Sequence, residues 1–122
     1  MAQRYTDALA EIPGLTPVAV RPEDRSAWHL YTCFVEPDSG VDRNALIEYL
    51  ETVHGVEIIL RFWPLHLNSA FRKAGHVFGE CPACEKVWFE QQLNLPICPA
   101  MEDWEVGAVI EALAAGMREC RR

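Results

Sequence analysis

Apolar side chains recur every three or four residues in three stretches of the chain, which is the spacing of an amphipathic helix. The first stretch runs from Tyr5 to Ile12 and is stopped by Pro13-Gly14, and the last runs from about Asp103 to Cys120. Between them, Asp42 is placed to cap a helix that Gly55 ends. The side chains predicted to face the core are Leu46, Ile47, Leu50 and Val53 in the middle helix and Val106, Val109, Ile110, Leu113 and Met117 in the last.

Other apolar stretches have the length and residue content of β-strands. Strands are predicted at Pro17–Val20, Trp28–Val35 and Val56–Phe62, and Leu93–Pro99 is predicted to be a short extended piece at a sheet edge because its prolines forbid a long ladder. The second of these strands is apolar on both faces, which predicts cover on both sides. The third would form a strand–helix–strand unit with it, in an order that the pattern leaves open.

Two shorter helical segments complete the predicted secondary structure. Asn68 to Ala74 suits one or two turns ended by Gly75, and Pro82 suits the first turn of a helix that reaches about Gln92. The predicted fold class is therefore α+β, with a small, mainly antiparallel or mixed sheet of three or four strands and helices packed on it.

Composition narrows the class of protein. The chain has 122 residues, of which 50% are hydrophobic, and this suits one domain over 1–122. A formal net charge of -7 argues against nonspecific nucleic-acid binding, which needs a basic surface. Neither a signal peptide nor a run approaching the roughly 20 apolar residues of a membrane span is present, so a cytoplasmic location is predicted. The five cysteines are then expected to be reduced thiols.

One segment stands out as a candidate ligand-binding loop. The sequence Arg61-Phe62-Trp63-Pro64-Leu65-His66 follows a predicted strand, and loops after strands commonly carry ligand-contacting groups. No acidic residue lies between Glu57 and Glu80, although several basic residues do, which predicts an anionic ligand such as a phosphate. Chance clustering of charge on a solvated face is the alternative interpretation. The candidate substrate-binding residues are Arg61, Phe62, Trp63, His66 and Arg72.

The sequence Cys81-Pro82-Ala83-Cys84 at a predicted helix start is the most conspicuous short motif. It could be a reactive dithiol, but it lacks the preceding buried strand of thioredoxin-like motifs. A zinc site with Cys98 and His76 is a second alternative, although only one close pair of ligands exists. The plainer interpretation makes Cys84 a core residue and Cys81 a thiol near the helix cap. Glu85 would then favour the helix dipole, and no metal or catalytic residue is predicted.

The order of motifs along nearly the whole chain resembles the C-terminus of the DegT/DnrJ/StrS family of sugar aminotransferases. The motifs that carry this resemblance are Trp28-His29, His54-Gly55-Val56, Pro64-Leu65-His66, Pro82 to Glu85, Leu95-Pro96-Ile97-Cys98-Pro99 and the closing amphipathic helix. Where that family usually has His-Tyr-x before Pro-Leu-His, this sequence has Arg61-Phe62-Trp63.

The resemblance implies a dimeric, pyridoxal-phosphate-dependent enzyme that transfers an amino group to a keto sugar on a nucleotide. It further implies that this chain is the small C-terminal domain, without the large cofactor-binding domain, and that the loop from Arg61 to Arg72 contacts the nucleotide sugar. Only Lys73 and Lys86 could form a Schiff base, and neither lies in the family's Ser-x-x-x-Lys loop. The chain alone is therefore expected to hold no cofactor and to be inactive.

Two functions remain open at this point. The chain is either the small domain of an aminotransferase or a standalone binding or protein-interaction module that kept the fold without the chemistry. In both cases the face that would meet a large domain is left uncovered, which predicts a separate large-domain partner or self-association as a dimer.

Overall fold

A three-stranded sheet with helices packed against it forms the structure, a computed structural model that describes residues 1–122. This confirms the predicted α+β class. In chain order the elements are α1 (Ala2–Ala10), β1 (Leu15–Pro17), β2 (Tyr31–Val35), α2 (Arg43–His54), a 3₁₀ turn (Leu65–Leu67), α3 (Ser69–Lys73), α4 (Pro82–Lys86), a π-helical turn (Val87–Gln91), β3 (Gln92–Leu95) and α5 (Asp103–Glu119).

The sheet is antiparallel throughout, in the order β1-β2-β3. Leu15 lies opposite Val35 in the first pair, and Tyr31 lies opposite Leu95 in the second. Pro96 follows β3 directly, so the predicted short extended piece is confirmed as an edge strand. The central position of β2 explains why it is the most apolar of the three strands.

The hydrophobic core lies where α1, α2 and α5 pack on one another and on the sheet. On β2 the side chains of Tyr31, Cys33 and Val35 are buried, whereas Thr32 and Phe34 on the other face are half-buried. The strand is therefore covered fully on one side and partly on the other. The largest fully buried side chains are Tyr5, Tyr31, Leu9, Leu46, Leu50, Leu93, Leu113, Val106 and Cys33.

Local signals set the ends of α2 and α5 as the sequence predicts. The Asp42 carboxylate accepts a hydrogen bond from the Ala45 amide at 2.9 Å, and Gly55 ends α2 with a left-handed φ of 65°. Glu102 and Glu105 form a reciprocal capping box at the start of α5. These caps satisfy amide groups that the helix itself leaves unpaired.

The predicted strand at Val56–Phe62, and with it the strand–helix–strand unit, is wrong. Val56 and Ile58 are buried and Ile59 is exposed, so the alternation of a half-buried strand is present. The segment does not pair with a neighbouring backbone, however. Its Arg61 amide donates a hydrogen bond to a side chain, Asn94 Oδ1, at 2.7 Å. An amide side chain from β3 thus replaces the ladder partner that would make this segment a strand.

Two further strand boundaries and the burial of one residue differ from prediction. The central strand begins at Tyr31 because Trp28 has a left-handed φ of 49°, which breaks the extended run. The first strand is Leu15–Pro17, although the Val18 amide still donates to the Thr32 carbonyl at 3.1 Å. Val53, predicted to be buried, is 60% exposed because the whole last turn of α2 is solvated.

The contact of α5 with α2 yields a stability prediction. A Cβ at Gly116 would overlap Leu46 Cδ1 and lie 3.2 Å from Tyr49 Cδ1. We expect Gly116→Ala to lower the free energy of unfolding by about 1–3 kcal/mol, measured by urea denaturation, because the two helices must separate.

The matched control is Gly107→Ala on the same helix. There a Cβ meets only the end of the flexible Arg4 side chain, at 3.1 Å. Because alanine favours the helix by up to about 1 kcal/mol, this variant is expected to be neutral or stabilised. Equal destabilisation of both variants would show that the α2–α5 contact is not the cause.

Candidate functional site

The candidate loop runs from Arg61, which is tied to β3, to the end of α3. Its 3₁₀ turn begins after Pro64, and Asn68 caps α3 by accepting a hydrogen bond from the Ala70 amide at 3.2 Å. The peptide bond between Arg61 and Phe62 is cis. Two anchors, described next, hold this loop of mostly exposed side chains against the domain.

The first anchor is an amide cluster on β3. Asn94 is only 5% exposed, and its Nδ2 donates to Thr32 Oγ1 at 2.9 Å while its Oδ1 accepts from the Arg61 amide. Gln92 Nε2 donates to the Arg61 carbonyl and to Asn94 Oδ1. Both backbone polar groups of Arg61 are therefore held by side chains, and the guanidinium is left free to point outward.

The second anchor is a buried pair formed by His66 and Glu85. His66 Nε2 lies 2.6 Å from Glu85 Oε1, and the two residues are 9% and 4% exposed. The Gly79 amide donates to both carboxylate oxygens, at 2.8 and 3.0 Å, and the Cys81 amide contributes a longer bond of 3.4 Å. One carboxylate thus joins the 3₁₀ turn, the 76–81 turn and α4.

Burial by itself would raise the pKa of Glu85, but hydrogen bonds from His66, Gly79 and Cys81 outweigh it and hold that pKa below its ordinary value. The carboxylate is therefore ionised at neutral pH and can only accept hydrogen bonds. It follows that His66 Nε2 carries a proton and donates it to this bond.

Aromatic side chains in mutual contact lie beside the loop and form what we call the aromatic face: Trp63, Phe78, Trp88 and Phe89. Trp63 meets Trp88 edge-on with ring centroids 4.6 Å apart, and Phe89 at 5.7 Å. On this face Trp63 and Phe78 are 50% and 69% exposed, and Phe62, which precedes Trp63 in the chain, is 64% exposed. So much solvated aromatic area on one side of a small domain is typical of a surface that binds a ligand or a partner.

Arg43, at the start of α2, is hydrogen-bonded to the backbone that carries part of the aromatic face. It is 4% exposed and donates to the Gln92 carbonyl at 3.0 Å and to the Phe89 carbonyl. Burial lowers the pKa of its guanidinium, while neighbouring Asp42 acts in the other direction. A buried cation at the end of the π-helical turn thus fixes the residues that carry Trp88 and Phe89.

The structure divides the five sequence-predicted binding residues into two groups. Arg61, Phe62, Trp63 and Arg72 are exposed, whereas the side chain of His66 is buried. Arg61, Arg72 and nearby Lys73 pair with no carboxylate. The local positive charge is therefore available to an anion.

Sequence reasoning missed Glu85, Asn94 and Arg43, which support the loop and the aromatic face. The sequence indicates only a dipole-favouring role for Glu85, because nothing in it links this residue to a histidine 19 positions earlier. For Arg43 a weak signal was available in the sequence. It directly follows the capping residue Asp42, and the rest of the first turn of α2 is uncharged.

The cysteine, histidine and acidic side chains outside these anchors do not form a second site. Cys84 is exposed, so its interpretation as a core residue is wrong, and Cys81 is the N-cap residue of α4. No group of three or more histidine, cysteine or acidic side chains is arranged to hold a metal ion. None of the helices is both long and apolar enough to cross a membrane.

Comparisons with known proteins bear on the whole chain. The sequence profile of the DegT/DnrJ/EryC1/StrS aminotransferase family matches residues 1–114. The spore coat polysaccharide biosynthesis protein SpsC of Bacillus subtilis is 34% identical over 115 residues, which cover 93% of this chain and 29% of SpsC.

Solved structures give the same result. The aminotransferase TlmJ from Streptoalloteichus hindustanus is 30% identical with a TM-score of 0.78, over 96% of this chain and 30% of TlmJ. DesV of S. venezuelae, solved in complex with a ketimine intermediate, is 27% identical with a TM-score of 0.81, over 97% of this chain and 30% of DesV. The chain thus spans about three tenths of the length of these relatives.

The buried pair generates a pH prediction for Glu85→Gln. Because the pKa of Glu85 is lower in the folded state, its contribution to stability is present above the unfolded pKa and is lost as pH falls through the folded pKa. We expect the variant to be less stable than wild type at neutral pH and the difference to shrink on acidification, as measured by urea denaturation across pH.

The control for this experiment is Glu80→Gln, which removes the exposed His76–Glu80 pair at 2.9 Å. A pair so accessible to solvent is expected to contribute at most about 1 kcal/mol. If the difference in stability between wild type and the Glu85→Gln variant did not change with pH, the assigned role of the Glu85 charge would be contradicted.

Proposed function

The chain belongs to the DegT/DnrJ/EryC1/StrS aminotransferase family, and from that premise we propose that it acts as the small C-terminal domain of a sugar aminotransferase. The observation that carries the proposal is that the chain matches the family over nearly its whole length but matches only a part of each relative. The family profile spans 114 of the 122 residues, yet the chain corresponds to only 29% of SpsC and 30% of DesV. Its role is to supply a substrate-contacting loop to a larger enzyme.

The chemistry of the loop favours a nucleotide sugar as the substrate. Arg61 and Arg72 are exposed cations without a carboxylate partner, which suits a diphosphate. Phe62 and Trp63 offer exposed ring faces on which a base or a sugar can stack. The buried side chain of His66 is hydrogen-bonded to Glu85 and fixes the conformation of the loop that makes these contacts.

The exposed apolar area around Phe78 favours a large domain as the partner of this chain. Phe78 is 69% exposed, and Val77, which precedes it in the chain, is 56% exposed. In the proposed enzyme this area is covered by the large domain, and self-association of two copies is the alternative cover.

The residues of this chain do not fit pyridoxal phosphate by themselves. A Schiff-base lysine needs a site that also holds the phosphate and the ring of the cofactor. Lys73 and Lys86 are both exposed on short helices, and Lys86 lies only at the rim of an open cavity of about 340 Å³. We therefore assign the cofactor and its lysine to the large domain.

This assignment predicts that the isolated chain is inactive in transamination. After incubation with pyridoxal phosphate and reduction with borohydride, mass spectrometry should find no stoichiometric adduct at Lys73 or Lys86. The Lys73→Arg/Lys86→Arg double variant is the control and should likewise show no stoichiometric adduct. A stoichiometric adduct at one lysine that disappears in its arginine variant would overturn the assignment.

The loop assignment predicts the effect of Arg61→Ala in an enzyme reconstituted with its large domain. Losing one charge-assisted hydrogen bond of about 1.5–3 kcal/mol should raise KM for the nucleotide sugar by about tenfold or more. Cofactor affinity, measured by fluorescence titration, should stay unchanged.

The control for this variant is Arg118→Ala, an exposed arginine in the last turn of α5. It lies near Ile12 and Pro13 and away from the loop, so KM should not change. If Arg61→Ala weakened cofactor binding more than substrate binding, Arg61 would lose its proposed role.

A further inference from the structure

Two exposed thiols lie on the first turn of α4. Cys81 is the N-cap residue, Cys84 is three positions later, and the Glu85 amide closes the turn by donating to the Cys81 carbonyl at 2.9 Å. Residues three apart in a helical turn have Cα atoms about 5 Å apart. A disulfide needs Cα atoms at about 4.4–6.8 Å, so the spacing of this pair is within bonding range.

Neither packing nor metal binding accounts for these two thiols. The core already has its own cysteine, Cys33, whose thiol is fully buried and has its pKa raised by burial to about 12. Cys81 and Cys84 are instead solvent-accessible, and they belong to no group of three or more side chains arranged to hold a metal ion. They are also neighbours in a single helical turn, which makes reaction with each other faster than reaction with a second molecule.

We propose that Cys81 and Cys84 form a reversible intramolecular disulfide, which makes this turn a redox modification site. One thiolate attacks the sulfur–sulfur bond of glutathione disulfide and releases one glutathione thiolate. The second thiolate attacks the mixed disulfide and releases the other. The two cysteines lose two protons and two electrons, and glutathione disulfide gains them. Exposed disulfides of this kind are the ones that reduce readily.

The modification has a path to the candidate loop. The Cys81 amide and the Gly79 amide both donate to the Glu85 carboxylate, which in turn holds His66. Fixing the Cys81 side chain to Cys84 changes the backbone of the turn that presents these amides. Oxidation therefore alters the hydrogen bonds of the Glu85–His66 pair. This proposal does not depend on the aminotransferase role.

The test uses the full chain equilibrated with reduced and oxidised glutathione, quenched with acid, unfolded and alkylated. Mass spectrometry should find five alkylated cysteines in the reduced sample and three in the oxidised one. The two that escape alkylation should be Cys81 and Cys84. The Cys98→Ser control should keep this bond. The Cys84→Ser variant should instead carry one glutathione on Cys81. Stable glutathione adducts on wild type, no oxidation, or bonding to Cys98 or Cys120 would each overturn the proposal.

The coupling to Glu85 has its own readout in the histidine ring resonances measured by NMR. Oxidation of wild type should move the His66 resonances and leave those of His54, which packs against Tyr49 at the end of α2, unchanged. The Cys84→Ser variant treated in the same way should not reproduce the shift. A His66 signal that is the same in both redox states would refute the coupling.

Discussion

The ionised carboxylate of Glu85 is the group on which the conformation of the ligand-facing side of this domain depends. The segment between α2 and β3 contributes no strand to the sheet, and its regular pieces are short. Burying a charge is costly unless it is paired and hydrogen-bonded. His66, Gly79 and Cys81 together supply these partners. Loss of any one of them would leave a buried charge partly unsatisfied, so the three segments are held as a unit.

The rest of the domain is stabilised in a different way. α1, α2 and α5 bury an apolar core with the sheet, and the polar bonds within that core are few, such as the Tyr5 hydroxyl donating to the Pro96 carbonyl at 2.8 Å. The loop side has large exposed side chains and is held at two anchors, Asn94 and Glu85. Few buried contacts predict lower local stability there than in the core, which leaves the loop able to adjust to a ligand.

Local signals were sufficient for much of the fold. Asp42 and Gly55 bound α2 as predicted because a cap depends on residues a few positions apart. The strand at Val56–Phe62 was predicted wrongly because alternation reports burial, whereas a strand also needs a backbone partner, and Asn94 takes that place. The pairing of His66 with Glu85 could not be predicted either, since only the folded chain brings the two together.

The same pairing explains how a protein with a net charge of -7 presents a positive surface at one loop. Glu85 is buried and its charge is taken up by His66 and backbone amides, and Glu80 is paired with His76. Arg61 and Arg72 therefore face solvent, and neither forms an ion pair. Because exposed charges beyond about 10 Å are largely screened at ordinary ionic strength, the distant acidic residues do little to cancel this field.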